Sequence, residues 1–176
     1  GLYGTMATAY MARDGTTRQH LMHVAIKNHQ NGGLNPKAQF NTSLRDMIEQ
    51  RKKRAEERGE PIPIWKDEFD FLNDPIANPL VAWPLYLFDC SPVSDGASCL
   101  ILASEEIARN FTDDVVAVVA SGQASAGPFA TWGGDITSIP SAKIAARQAY
   151  EMAGVTPKDI DLAEVHDCFT AAEIIA

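Results

Sequence analysis

The sequence predicts an α/β protein whose first third is mostly helical. Apolar residues between Gly1 and about Arg58 recur at the three- and four-residue spacing of amphipathic helices. Val115–Ala120 is a continuous apolar run, which is typical of a strand buried on both faces. The second half alternates strand-like and helix-like segments, the order that is characteristic of α/β domains.

Three helices are predicted at the start of the chain. The first should end at Gly15, because glycine readily adopts the left-handed conformation of a helix C-cap. Thr16 or Thr17 can cap the second helix, and the turn residues of 31–36 (NGGLNP) predict a loop after it. The third helix should cover 43–58.

Strands and short helices are predicted to alternate in the remainder of the chain. Ser104 can cap a short helix, and an amphipathic helix should end at Gly154. The Gly-, Ala- and Ser-rich stretch 122–134 is predicted to be a long functional loop. Thr170-x-x-Glu173 has the spacing of a capping box that opens the last helix. The predicted strands are Leu85–Phe88, Ser98–Ala103, Val115–Ala120 and Ile160–Val165.

Composition excludes several classes of function. The formal net charge of -8 and the pI near 4.9 disfavour nucleic-acid binding, which depends on cations that meet phosphates. No stretch approaches the roughly 20 apolar residues that span a bilayer, and residues 1–10 show no signal-peptide pattern. Three cysteines without C-x-x-C spacing favour reduced thiols, so we expect a cytoplasmic protein.

His166 and Cys168 lie between a predicted strand and the helix that follows it. Catalytic groups collect at the carboxyl ends of strands in α/β sheets. A helix start also stabilises a thiolate nearby, and Asp167 is expected to turn away into structural hydrogen bonds. On these residues alone, a buried structural cysteine and a hydrogen-bonded structural histidine at the end of a strand are the favoured interpretation.

The His166–Phe169 segment (HDCF) resembles the H-D-C-F motif of sterol-carrier-protein-type thiolases. Three further blocks resemble this family and follow its order along the chain. They are Val24–His29 with Asn35–Phe40 (VAIKNH and NPKAQF), Asp89–Ala97 (DCSPVSDGA) and Ala145–Gly154.

The resemblance implies a partial thiolase-like α/β fold with a mostly helical loop domain. Residues 1–74 would be loop-domain material, 75–111 the closing part of the N-terminal half, and 112–176 the start of the C-terminal half. The family also implies a homodimer or higher oligomer, with a small zinc-ribbon/OB-fold protein as a candidate partner. Coenzyme A thioesters would be the substrates, and no cofactor or metal is expected.

The family's site residues carry over to four positions. His166 would help to form the oxyanion hole, and Cys168 would be the acid/base that moves the substrate α-proton. Phe169 would line the pocket, and Ser91 would contact the pantetheine arm or the substrate. The family's nucleophilic cysteine and its G-H-P histidine have no counterpart in these 176 residues, so this chain alone should be inactive.

Two other functions remain open. Thiolase relatives that lack the catalytic cysteines act as aldolases on CoA thioesters, although Cys168 argues against this here. A non-catalytic protein that binds acyl-CoA or lipid is the second alternative. A nucleophilic cysteine elsewhere in the protein would favour the thiolase. Cys90 and Cys99 are interpreted as inert, buried structural cysteines.

Two further groups of residues were weighed as binding sites. The basic run 51–54 lies in a segment, 49–68, that looks longer than the family's. It could contact a CoA phosphate or a partner protein, but a solvated helix face is the favoured interpretation. His20 and His23 share one side of a helix while His29 points away, so zinc binding is not expected.

Overall fold

The structure, a computed structural model, describes residues 1–127 and 135–176. Residues 128–134 of the predicted long loop therefore lie outside the described residues. The helices are α1 (Leu2–Asp14), α2 (Arg18–Leu34), α3 (Leu44–Arg58), α4 (Glu68–Asn73), α5 (Glu105–Ala108), α6 (Pro140–Ala153) and α7 (Thr170–Ile175). The strands β1 (Leu80–Ala82) and β2 (Leu85–Tyr86) form an antiparallel pair, and 3₁₀ turns cover Leu87–Asp89 and Pro157–Asp159.

The described residues form two compact units. The first contains residues 1–93, 135–138 and 165–176, so the last helix returns to the first half of the chain. The second contains the described residues of 94–134 and 139–164. Within the described chain, no helix is both long and apolar enough to cross a membrane. The three segments expected from the resemblance, 1–74, 75–111 and 112–176, stay a prediction.

The predicted helix ends of the first unit are confirmed. Gly15 and Gly59 end α1 and α3 in the left-handed conformation, with φ of 70° and 64°. Thr17 caps α2 together with His20, whose Nδ1 accepts a hydrogen bond from the Thr17 N–H at 3.0 Å. The Ser43 Oγ accepts from the Asp46 N–H at 3.1 Å at the start of α3.

The predicted loop at 31–36 is wrong at its beginning, because α2 continues to Leu34. The glycines that predicted a turn instead allow close packing. A Cβ on Gly33 would lie 3.0 Å from the backbone nitrogen of Ser43. Because Gly33 has no side chain, the last turn of α2 can contact the segment that leads into α3. From sequence alone, a glycine that allows close packing looks the same as a glycine that forms a turn.

The larger core of the first unit is centred on Phe71, whose side chain is fully buried. Its ring lies 5.0 Å from that of Trp65 and 5.3 Å from that of Phe88. Asn78 is also buried, and it joins two backbone segments. Its Nδ2 donates to the Leu72 carbonyl at 2.8 Å, and its Oδ1 accepts from the Phe88 N–H at 3.0 Å. The end of α4 and the 3₁₀ turn are thereby held together.

A second, smaller core attaches α7 to the beginning of the chain. Ala7 of α1, Leu21 of α2, Leu85 of β2 and Ala171 of α7 are buried against one another. Each residue comes from a different element, so this cluster brings the end of the chain onto its first two helices.

The predicted strands are the main point at which the structure differs from the sequence-based expectation. Within the described residues, the ranges 98–103, 115–120 and 160–165 are not paired as strands. Their apolar side chains are exposed, as Ile101 at 88 % and Val116 at 90 % illustrate. A run of apolar residues becomes a strand only where a second backbone segment pairs with it. The pattern of apolar residues in one segment does not indicate whether such a partner is present.

The predicted strand 85–88 forms only in its first half. The Tyr86 N–H donates to the Asp89 Oδ2 at 2.8 Å, and the chain turns into a 3₁₀ helix after Tyr86. The Asp89 side chain thus accepts the hydrogen bond of a backbone N–H that, in a longer strand, would have been donated to the neighbouring strand.

The buried carboxylate of Asp89 connects three parts of the first unit. Besides the Tyr86 N–H, it accepts a hydrogen bond from the Arg18 Nη1 at 2.9 Å and from the Thr170 Oγ1 at 2.8 Å. The Arg18 guanidinium also lies over the Tyr86 ring, 4.6 Å from its centroid. The Asp89 carboxylate therefore links the start of α2, the end of the hairpin and the start of α7.

Replacement of Asp89 by alanine is expected to lower the free energy of unfolding of the chain by about 3–5 kcal/mol, because it leaves the Arg18 cation buried without its partner. Chemical denaturation followed by circular dichroism measures this loss. Glu57→Ala is the control, since Glu57 pairs with Lys53 at 3.9 Å on the surface. It should change stability by less than about 0.5 kcal/mol. Equal effects of the two substitutions would contradict a structural role for the Asp89 carboxylate.

Gly4→Ala is expected to destabilise the chain, whereas Gly32→Ala should not. A Cβ on Gly4 would lie 2.8 Å from the carbonyl oxygen of Trp83, a backbone atom that cannot move aside alone. Overpacking of this kind costs about 1–3 kcal/mol. A Cβ on Gly32 would lie 3.4 Å from the Phe40 carbonyl, so that variant should gain up to about 1 kcal/mol of helix propensity. Thermal melting that shows both variants equally stabilised would rule out close packing at Gly4.

Candidate active site

The residues singled out by the sequence meet where two distant segments run side by side. Cys90 and Phe169 form an antiparallel β-bridge, and the Ser91 N–H donates to the Cys168 carbonyl at 3.1 Å. Three of the four predicted site residues, Ser91, Cys168 and Phe169, are therefore neighbours. The two segments are joined by backbone contacts, so their alignment does not depend on the identity of most side chains.

The start of α7 fixes this arrangement, but not through the predicted capping box. Thr170 is the first residue of α7 and not its cap, and its hydroxyl donates to Asp89. Glu173 is occupied by α2, where its carboxylate accepts from Lys27 and, at 3.0 Å, from the Asn28 Nδ2. Partners distant in sequence have replaced the local hydrogen bonds that the spacing predicts.

Asp167 turns into structural hydrogen bonding, as expected. Its carboxylate accepts a hydrogen bond from the side-chain amide of Asn28 on α2. His29, the next residue of α2, lies edge-on to the Phe88 ring at 5.3 Å. Burial lowers the pKa of His29, while the negative charge of Asp167 acts in the opposite direction. A histidine in this environment is held neutral at physiological pH.

Cys168 is half-buried and has a polar neighbour that no motif indicates. Interaction with the Cys168 side chain, together with burial, raises the pKa of Tyr3. The Tyr3 ring also lies 4.6 Å from the Phe169 ring, at an interplanar angle of 31°. The spacing of Tyr3, Ala7 and Met11 identifies one face of α1, but it cannot show which distant residues cover that face.

His166 lies apart from these contacts. Its side chain is exposed, and the described residues provide it with no hydrogen bond that would fix the ring. The side chain of Ser91 is exposed as well, so Ser91 enters the site through its backbone. An oxyanion role for His166 and substrate contact by Ser91 stay predictions.

The remaining cysteines differ from each other. Cys90 is half-buried, and its Sγ donates to the Tyr86 carbonyl at 3.3 Å. Burial and the adjacent Asp89 carboxylate raise the pKa of the Cys90 thiol, which makes it a poor nucleophile near neutral pH. The expectation that Cys99 is buried is wrong, because Cys99 is exposed. The strand that would have buried it is not paired in the described chain.

The two other candidate groups are occupied by structural contacts. His23 packs on the Phe69 ring at 5.0 Å, and His20 helps to cap α2. Among the described residues, no three histidine, cysteine or acidic side chains form a cluster suited to a metal ion. In the basic run, Arg51 covers the Phe71 ring at 4.9 Å and Lys52 pairs with Glu49 at 3.3 Å. These contacts favour the helix-face interpretation of 51–54 over a phosphate site.

The chain is similar to known proteins along nearly its whole length. Residues 122–176 match the family model described as Thiolase C-terminal domain-like. Over 175 residues the chain is 41 % identical to an acetyl-CoA acetyltransferase of Methanothermobacter thermautotrophicus, and the match covers 99 % of this chain and 39 % of that protein. It is 32 % identical to sterol carrier protein 2 of Bos taurus, with coverage of 99 % and 28 % respectively.

A solved structure has a similar fold. The chain superposes on a structure named Ltp2-ChsH2(DUF35) aldolase with a TM-score of 0.71 and 27 % identity, which covers 98 % of this chain and 40 % of that one. This chain thus spans about two fifths or less of the length of these relatives. The resemblance drawn from the HDCF motif and the three blocks before it is confirmed along nearly the whole chain, which is similar to thiolases.

Proposed function

We propose that this chain is part of an acyl-CoA C-acyltransferase, a thiolase that joins or cleaves 3-ketoacyl-CoA through an acyl-cysteine intermediate. The observation that carries the proposal is the alignment of Ser91 with Cys168, next to the bridge between Cys90 and Phe169. It brings the predicted acid/base, the predicted pocket residue and the predicted substrate contact to one place. Two of the relatives that the chain matches along its length are named acetyl-CoA acetyltransferases.

Cys168 has the surroundings that an acid/base at carbon requires. In the condensation direction, the Cys168 thiolate would take the α-proton of one thioester and become a thiol, which leaves an enolate. The enolate carbon would attack the acyl group on the nucleophilic cysteine, forming the 3-ketoacyl-CoA and releasing that cysteine as a thiolate. Half-burial keeps the Cys168 sulfur partly shielded from water.

The negative charge of the enolate needs a donor, and His166 is proposed to supply it. One such donor contributes about 2.7–4 kcal/mol to lowering a barrier. The exposure of His166 means that its ring is free to turn towards a bound thioester. The nucleophilic cysteine and the G-H-P histidine would come from residues outside these 176, since Cys90 is a half-buried, hydrogen-bonded thiol with a raised pKa.

The proposal includes the substrates and partners of the intact protein. Coenzyme A thioesters would be the only small molecules required, in the cytoplasm and without a further cofactor. The intact protein would be a homodimer or higher oligomer, and a small zinc-ribbon/OB-fold protein is a proposed partner. The solved structure named Ltp2-ChsH2(DUF35) aldolase pairs a similar fold with a second protein.

That same structure supports a second candidate, an aldolase that acts on CoA thioesters. The two reactions differ in one measurable intermediate. A thiolase becomes covalently acylated on cysteine, whereas an aldolase cleaves its carbon–carbon bond without acylation. Mass spectrometry of the intact protein after incubation with acetyl-CoA tests for the intermediate, and an acetyl adduct supports the thiolase. Absence of an adduct, together with cleavage of a 3-hydroxyacyl-CoA to a carbonyl compound and a shorter acyl-CoA, supports the aldolase.

Cys168→Ser in the intact protein is expected to preserve acylation of the nucleophile while it slows exchange of the substrate α-protons by about 10²–10⁴-fold, because a serine hydroxyl is a far weaker base. Deuterium incorporation into acetyl-CoA, followed by mass spectrometry, measures the exchange. Cys99→Ser is the matched control and should exchange at the wild-type rate. Wild-type exchange in the Cys168 variant would remove Cys168 from the mechanism.

His166→Ala is expected to lower kcat by about 10²–10³-fold, which is the usual effect of losing one oxyanion donor. His23→Phe serves as the comparison, because it replaces a histidine that packs against a ring on α2 and should keep most of the activity. Steady-state release of free CoA measures both variants. A decrease of less than threefold in the His166 variant would leave this residue without a catalytic role.

A further inference from the structure

Asn28 of α2 contacts two carboxylates that lie on either side of Cys168 in the sequence. Its side-chain nitrogen, Nδ2, donates one hydrogen bond to the Asp167 Oδ2 and another, of 3.0 Å, to the Glu173 Oε2. All three side chains are half-buried. An amide that faces two carboxylates must present its nitrogen, whose two hydrogens serve one acceptor each. A single side chain of α2 therefore holds the chain both before and after Cys168.

The contact with Asp167 fixes a part of the chain that has few other restraints. Among the described residues, no backbone hydrogen bond holds 161–167, and the His166 side chain is exposed. From Cys168 onward, by contrast, the backbone is aligned with residues 90–91. The Asp167 side chain is thus the point at which the approach to Cys168 is attached to α2. A rotation at Asp167 would move both of its neighbours, His166 and Cys168.

Asp167 depends on the Asn28 amide because it has no cationic partner. Within the described chain, Asp167 takes part in no ion pair, whereas Glu173 has the Lys27 ammonium as a second partner. His29 is close enough for the charge of Asp167 to act on it, but burial lowers the pKa of the His29 ring and keeps it neutral. The neutral amide is therefore the group that holds the Asp167 carboxylate.

We propose that Asn28 is a positioning residue for 166–168: through Asp167, it holds His166 and Cys168 in one arrangement relative to α2. The catalytic consequence rests on the proposed function, in which Cys168 moves the α-proton and His166 stabilises the enolate. The placement of the Cys168 sulfur does not rest on it, because the reactivity of the thiol is measured without substrate. Asn28 itself makes no contact with the substrate in this proposal.

Asn28→Asp tests the inference, since it keeps the shape of the side chain but replaces the donor by a third carboxylate that repels Asp167 and Glu173. In the full-length protein without substrate, alkylation of Cys168 by iodoacetamide at constant pH should become about threefold faster or more, because the half-buried sulfur gains access to solvent. The modified peptide is identified by mass spectrometry. With substrate, kcat should fall by about 10–100-fold, as expected for misplaced catalytic groups, while KM changes by less than about twofold.

The double variant Asn28→Asp/Asp167→Asn exchanges donor and acceptor across the same contact. The amide nitrogen introduced at position 167 can donate to the carboxylate introduced at position 28, and Lys27 still neutralises Glu173. The alkylation rate and kcat should therefore return to within about threefold of the wild-type values.

Asn41→Asp is the matched control within the same unit. The Asn41 Nδ2 also donates to two acceptors, the carbonyls of Gly33 and Asn35, at 3.2 and 2.7 Å. This substitution removes two hydrogen bonds of one amide nitrogen without touching 166–168. It should leave the alkylation rate of Cys168 and kcat at the wild-type values.

Wild-type alkylation and kcat in Asn28→Asp would overturn the inference and leave Asn28 with a purely structural role, even if its melting temperature falls. A change that Asn41→Asp shares, or that the double variant does not reverse, would overturn it as well. Faster alkylation in Asn28→Asp together with wild-type proton exchange in Cys168→Ser would keep the inference and reject the proposed function. If Asn28→Asp does not fold, Asn28→Ala removes the same donors without adding a charge, and its results are interpreted in the same way.

Discussion

A single buried carboxylate organises the half of the molecule that carries the site. Asp89 accepts hydrogen bonds from a guanidinium, a hydroxyl and a backbone N–H, which come from three different elements. Burial of an ion is costly, and the cost is offset only when its partners are close and correctly oriented. The carboxylate therefore fixes the relative arrangement of α2, the hairpin and α7. That arrangement places the predicted site residues next to each other.

The position of Asp89 in the sequence explains why its effect reaches the chemistry. It is followed directly by Cys90 and Ser91, and its partner Thr170 directly follows Phe169. Once the Asp89 and Thr170 side chains meet, the residues on either side are forced into register as a short antiparallel pair. The β-bridge between Cys90 and Phe169 is part of this antiparallel pair. Residues that hold the fold and residues predicted to form the site are thus neighbours in sequence.

The sequence predicted local features well and distant contacts only through motifs. Helix ends at Gly15 and Gly59 follow from backbone conformation that glycine alone adopts easily, so they were predictable. The strands at 98–103 and 115–120 were not, because pairing depends on a second backbone. The HDCF resemblance brought Cys168 and Phe169 to attention, yet neither periodicity nor motif indicated Tyr3. The packing of its ring on Phe169 depends on α1 and α7 meeting, a contact between residues distant in sequence.

The return of the last twelve residues to the first helices also has a consequence for biosynthesis. Lys27 and Glu173 are 146 residues apart, and Asn28 and Asp167 are 139 apart. At about 5–20 residues per second, a ribosome exposes α1 and α2 for roughly ten seconds before α7 is made. During that interval the apolar faces that contain Ala7 and Leu21 have no cover from α7. The contacts that join α2 to α7 can therefore form only after α7 has been made, and the site is among the last parts of the unit to assemble.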